Sequence, residues 1–86
     1  MRDQMGIYDE IEKERKYQDG KWGTAFDDKN TVNDWTAYIA QRTGQSSAIG
    51  ATKEEQRKQM LKAAAIAVAA LEAFDRNNGF APRHYD

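Results

Sequence analysis

Eighty-six residues without a cysteine exclude a disulfide scaffold and a thiolate metal site, and leave one small domain near the lower limit of a self-sufficient core. A formal net charge of −1, with 13 basic and 14 acidic residues interspersed, argues against nucleic-acid binding by bulk charge. No apolar run is long and pure enough to span a membrane, and the opening M-R-D-Q-M-G-I-Y-D-E lacks a signal peptide's apolar core, so a cytoplasmic protein is expected.

Residues 3–19 read as a first helix. Ile7 and Ile11 share one face with Tyr8 beside them, and Asp9, Glu10 and Glu12 suit the N-terminal half. Glu14 and Gln18 continue that face, three and seven residues after Ile11. Either the helix end leaves the core there and these groups are solvated or pair with Arg15, or they stand at the rim of a pocket. Gly20 to Asn30 reads as an irregular connection, with Trp22 and Phe26 tacked onto the bundle because they are costly to leave in water. Asp27 and Asp28 suit a turn, or acceptors for a ligand.

Thr31 opens a second helix over 32–43, with Asp34 as its capping partner. Trp35, Tyr38 and Ile39 give the apolar face, Arg42 falls on the same face, and Gly44 is expected to end it. After a small polar linker, residues 53–77 read as the long helix that organises the chain. Thr52 and Glu55 form a capping box at its start, and Asn77-Asn78-Gly79 supplies a left-handed stop. Met60, Ala64, Ala67, Leu71 and Phe74 make one helical stripe, and the other faces from Ala63 to Ala70 are apolar too. A helix apolar all round must be covered all round. The prediction is an all-α domain over 1–86, a small bundle of three main helices (3–19, 32–43, 53–77), completed by assembly as a homodimer or tetramer.

No phosphate-loop, dinucleotide, H-E-x-x-H or EF-hand spacing occurs, and the single histidine, His84, sits alone in a charged tail. Glu14-Arg15-Lys16-Tyr17-Gln18, Lys21-Trp22-Gly23, Asp27-Asp28, Thr31 to Trp35 and Ala64 to Arg76, in that order, resemble small phage and prophage proteins related to the MazG-like all-α nucleotide pyrophosphohydrolases. In those enzymes four acidic residues on two facing helices hold magnesium, which binds the phosphates of a nucleoside triphosphate. The resemblance places the four ligand positions on Arg42, Gln45, Gln59 and Lys62, none acidic and two cationic. It therefore implies a pseudoenzyme: a non-catalytic binding or assembly module without a cofactor, holding a nucleotide or phosphate, or docking on a host or phage protein.

In that reading Arg42 and Lys62 converge on the space of the lost metal and bind an anion, with Gln18 at the rim, Trp22 as a stacking surface, and Glu14 or Asp28 orienting the rest. The competing expectation is that Glu14 or Glu72 neutralises the two cations as internal salt bridges. The alternative function is a divergent magnesium-dependent hydrolase using Glu14, Asp27, Asp28 and Glu72.

Overall fold

The computed structural model describes residues 6–83. His84, and the expected start of the first helix at residue 3, lie outside the described residues. The chain is all-α: α1 (Ile7–Trp22), α2 (Thr24–Lys29), α3 (Val32–Ser46) and α4 (Lys53–Asn77). An isolated parallel bridge, Thr31 with Ala81, lays the segment after α4 beside the start of α3.

Each boundary has a local cause. At α3 the Thr31 hydroxyl accepts the Asp34 N–H at 3.1 Å, and the Asp34 carboxylate accepts the Thr31 N–H at 2.9 Å. The two-way capping box therefore forms here rather than at α4, where Thr52 accepts from Glu55 and the return bond is not made. At the end of α4, Asn78 takes the left-handed conformation one residue before the glycine expected to do so. Its neighbour Gly79 donates its N–H to the Phe74 carbonyl at 2.8 Å. Gly44 does not end α3. The helix runs on to Ser46, whose buried hydroxyl donates to the Gln56 carbonyl at 3.0 Å and ties the last turn of α3 to the first turns of α4.

The expected irregular connection over 20–30 is mostly helical. α1 continues through Gly20 to Trp22, Gly23 turns the chain at φ 84°, and α2 follows directly. A positive φ of that size suits glycine, so the corner has a sequence cause even though the helix beyond it was not foreseen.

The core lies between α3 and α4. Trp35 packs on Ala69, Ala70 and Ala73, with Tyr38, Ile66 and Phe80 around them. One large indole against a face of methyl groups lets two helices approach closely without a second layer of bulky side chains. α1 is different: none of its residues is buried, and Ile7 and Tyr8, expected on its inner face, are 62% and 86% exposed.

Within the single chain α4 is not covered on every face, although its all-round apolar character leads to that expectation. The buried residues are the alanines Ala63, Ala65, Ala69, Ala70 and Ala73, while Met60, Leu71 and Phe74 are exposed. The Cα extent of 18 Å in the thinnest direction holds two layers of helix, each about 10 Å across, and not three. One flank of α4 is therefore left uncovered by its own chain.

Trp35→Ala should cost about 3–5 kcal/mol, since it removes the one large side chain in the core. Trp35→Phe should cost much less, because the indole N–H is buried without a protein partner among the described residues and its loss breaks no bond. Urea unfolding of the two variants checks the difference.

Candidate functional site

Where α1 and α2 meet the α3–α4 pair, the helices enclose a cleft of about 480 Å³, within the usual range for a small-molecule site. Polar contacts set its width. Glu10 on α1 takes both guanidinium nitrogens of Arg57 on α4, at 2.9 and 2.7 Å. Arg15 donates to Glu72 on α4 at 2.7 Å and to Asp27 on α2 at 3.2 Å. These side chains hold α1 away from α4 instead of letting apolar surfaces close on each other.

One wall is aromatic. Trp22 and Phe26 stack at 5.1 Å between ring centroids, and Phe26 and Tyr38 at 6.3 Å with 25° between planes. Trp35 meets Tyr38 edge-on at 6.2 Å. The Lys21 ammonium stands 5.2 Å from the Trp22 ring centre, a cation over a π face.

The other wall is polar. Gln18 donates to the Glu14 carboxylate at 3.2 Å and, at the long limit of 3.5 Å, to the Lys62 carbonyl. Arg42 reaches the amide oxygens of Gln59 and Gln45 at 3.4 and 3.5 Å, long contacts that satisfy its guanidinium weakly. Among the described residues neither Arg42 nor Lys62 forms an ion pair. The expected neutralisation by Glu14 or Glu72 does not occur, because Glu72 is taken by Arg15 and Glu14 by Gln18. With Arg15 and Asp27 paired to each other, Lys21, Arg42 and Lys62 line the cleft against a single carboxylate, Glu14.

Five residues singled out from sequence, Glu14, Gln18, Trp22, Arg42 and Lys62, thus line one cleft. Asp28 is not among its lining residues. It accepts from Arg76 at 3.1 Å and from Asn77 at 2.9 Å, fastening α2 to the end of α4. The Arg76 hydrogen bond, reinforced by Asn77, holds the Asp28 carboxyl below its usual range. Phe26 and Tyr38 were read only as packing groups, yet both line the cleft. The spacing signals were present, Trp22 to Phe26 at four residues and Trp35 to Tyr38 at three, but only a helical 24–29 segment makes the first pair a wall.

The arrangement does not fit a magnesium ion. Arg42 and Lys62 offer no oxygen and carry the wrong charge, and the amides of Gln45 and Gln59 are turned toward Arg42. The acids of the alternative set are scattered, with Asp27 and Glu72 on Arg15 and Asp28 on Arg76. No group of three or more His, Asp or Glu able to hold a metal occurs among the described residues. No family model, curated protein or solved structure matches the chain.

Asp27 is the buried carboxylate of the site, with its side chain 8% exposed. Burial pushes its pKa up, and the Arg15 guanidinium opposes that only in part. The folded chain therefore holds this proton more tightly than the unfolded chain does. Stability from this group is full at pH below the ordinary carboxylate range and declines as pH rises through the raised value. Asp27→Asn should remove that decline and change stability at neutral pH by no more than about 1 kcal/mol, the amide oxygen still accepting from Arg15. Arg15→Ala should cost about 3 kcal/mol, since it strands the Asp27 charge. Denaturant titrations of both variants across the acid range separate the two effects.

Proposed function

We propose that the protein is a non-catalytic binding module whose cleft takes a flat, anionic small molecule of the nucleotide class. The carrying observation is the joining of two features in one cleft: Arg42 and Lys62 without carboxylate partners among the described residues, and the aromatic wall of Trp22, Phe26 and Tyr38. A guanidinium fork suits phosphate oxygens, an ammonium adds a point charge, and stacked rings accept a base face. Glu14, held by Gln18, stands beside the cations as an acceptor for a ligand hydroxyl or amine.

This reading agrees with the resemblance to phage proteins of the MazG-like group, with cations in place of metal-binding acids and the hydrolase chemistry gone. The protein on this reading works in the cytoplasm as a homodimer or tetramer, and a host or phage protein reads its ligand state. The commitment of Asp27 and Glu72 to Arg15, and of Asp28 to Arg76, weighs against a divergent magnesium-dependent hydrolase built on those acids.

Thermal unfolding with nucleoside mono- and triphosphates, and with inorganic phosphate, tests the proposal. A ligand at one hundred times its Kd adds about 2.7 kcal/mol, which in a domain of this size raises Tm by roughly 10–20 degrees. Arg42→Ala should abolish that rise while costing the free protein less than about 0.5 kcal/mol, because its hydrogen bonds among the described residues are long and to amides. Absence of any shift with all three ligands would remove the anion site.

The same reading predicts no magnesium-dependent release of pyrophosphate from nucleoside triphosphates. Turnover that a chelator abolishes and Glu14→Gln reduces would restore the hydrolase.

A further inference from the structure

The uncovered flank of α4 carries Met60, Ala64, Ala67, Leu71 and Phe74 in one line, with Met60, Leu71 and Phe74 53%, 62% and 42% exposed. The cleft residues Lys62, Ile66 and Ala69 lie roughly half a turn away around the helix, so this surface is separate from the binding site. We propose that this flank is a self-association surface on which a second copy of the chain packs α4 against α4 in antiparallel fashion.

The occupant follows from the pattern. A two-fold axis between Ala64 and Ala67 sets Met60 opposite the partner's Leu71 and Ala64 opposite the partner's Ala67. The small pair sits at the crossing, where backbones approach most closely, and large apolar side chains close both ends. A stripe that complements itself under a two-fold operation suits an isologous contact. Phe74, backed edge-on by Phe80 at 5.0 Å, extends the apolar strip beyond the crossing.

Charge selects the direction. Lys53 lies on this flank at the start of α4 and Asp75 beside it near the end, both exposed and neither in an ion pair among the described residues. The same axis sets Gln56 opposite the partner's Asp75, which places Lys53 about five-sixths of a helical turn along from that carboxylate, within reach of a lysine side chain. A parallel arrangement would set Lys53 against Lys53 and Asp75 against Asp75. Antiparallel packing also opposes the two helix dipoles favourably.

Light scattering on the purified full chain at micromolar concentration should give twice the chain mass. Ala67→Glu and Leu71→Lys should each return the mass to that of one chain with helical circular dichroism unchanged. Leu71 is exposed in the single chain, so its substitution tests the interface even where Ala67→Glu perturbs folding. Lys53→Glu should weaken the dimer roughly tenfold, since two symmetric pairs are reversed at once. Adding Asp75→Lys should restore it, and both changes suit their ends of the helix dipole.

A monomeric wild type, or a dimer indifferent to both Ala67→Glu and Leu71→Lys, would overturn the proposal. A dimer tightened by Lys53→Glu would overturn its direction. These measurements read mass alone, so their failure is distinct from failure of the cleft to bind an anion.

Discussion

The placement of α1 depends on Arg15. α1 has no fully buried residue and covers its apolar Ile11 only in part, so apolar burial holds it weakly. Arg15 is only 12% exposed, and it bonds Glu72 on α4 and Asp27 on α2 at once. Glu10 and Arg57 add a second α1–α4 ion pair about one and a half turns earlier on α1. Exposed ion pairs add little to stability, but a shielded guanidinium shared between two elements fixes their separation. That separation is the cleft. Were α1 held by Ile7 and Ile11 as its periodicity suggests, the two helices would close and no space of this size would remain.

The same constraint explains why, among the described residues, Arg42 and Lys62 stand without carboxylates in a chain with slightly more acids than bases. The acids near the bundle seam are committed to positioning helices: Glu10 to Arg57, Asp27 and Glu72 to Arg15, Asp28 to Arg76. Arg42 and Lys62 are left with amide oxygens or solvent. Neutralising them from within would need Glu72 to leave Arg15, and so would release the ion pair that joins α1 to α4. The structural ion pairs and the open cations are two consequences of one distribution of charge.

Much of this was legible in the sequence, and its failures share a cause. Caps mark α3 and α4 because Thr31 and Thr52 satisfy N–H groups that nothing else reaches. The spacing of Glu14, Gln18, Arg42 and Lys62 on helical faces placed them near one seam. The facing of α4 was not legible. Every face was expected to be covered, including that of Met60, Leu71 and Phe74, whereas Trp35 supplies the bulk and α4 answers with alanine methyls on one side only. A helix apolar on every side carries no moment from which to read its orientation. α2 was hidden for a local reason: two glycines within four residues suggest a loop, although Gly20 is tolerated inside α1 and Gly23 makes a single sharp corner.

Alanine on the inner side of α4 has a consequence on the outer side. Methyl groups facing Trp35 bring α3 close, and the resulting two-layer body leaves no third element to cover the opposite flank. The larger apolar residues of α4 therefore stand on the surface of the single chain, where a monomer has no use for them. Cleft and flank are joined by the rigid helix between them, but they share no side chain. Changes of charge around Arg42 and Lys62 act on the first, and changes of size around Ala64 and Ala67 on the second. On the proposed reading, helix α4 serves binding on one side and assembly on the other without either set of residues being altered for the sake of its neighbour.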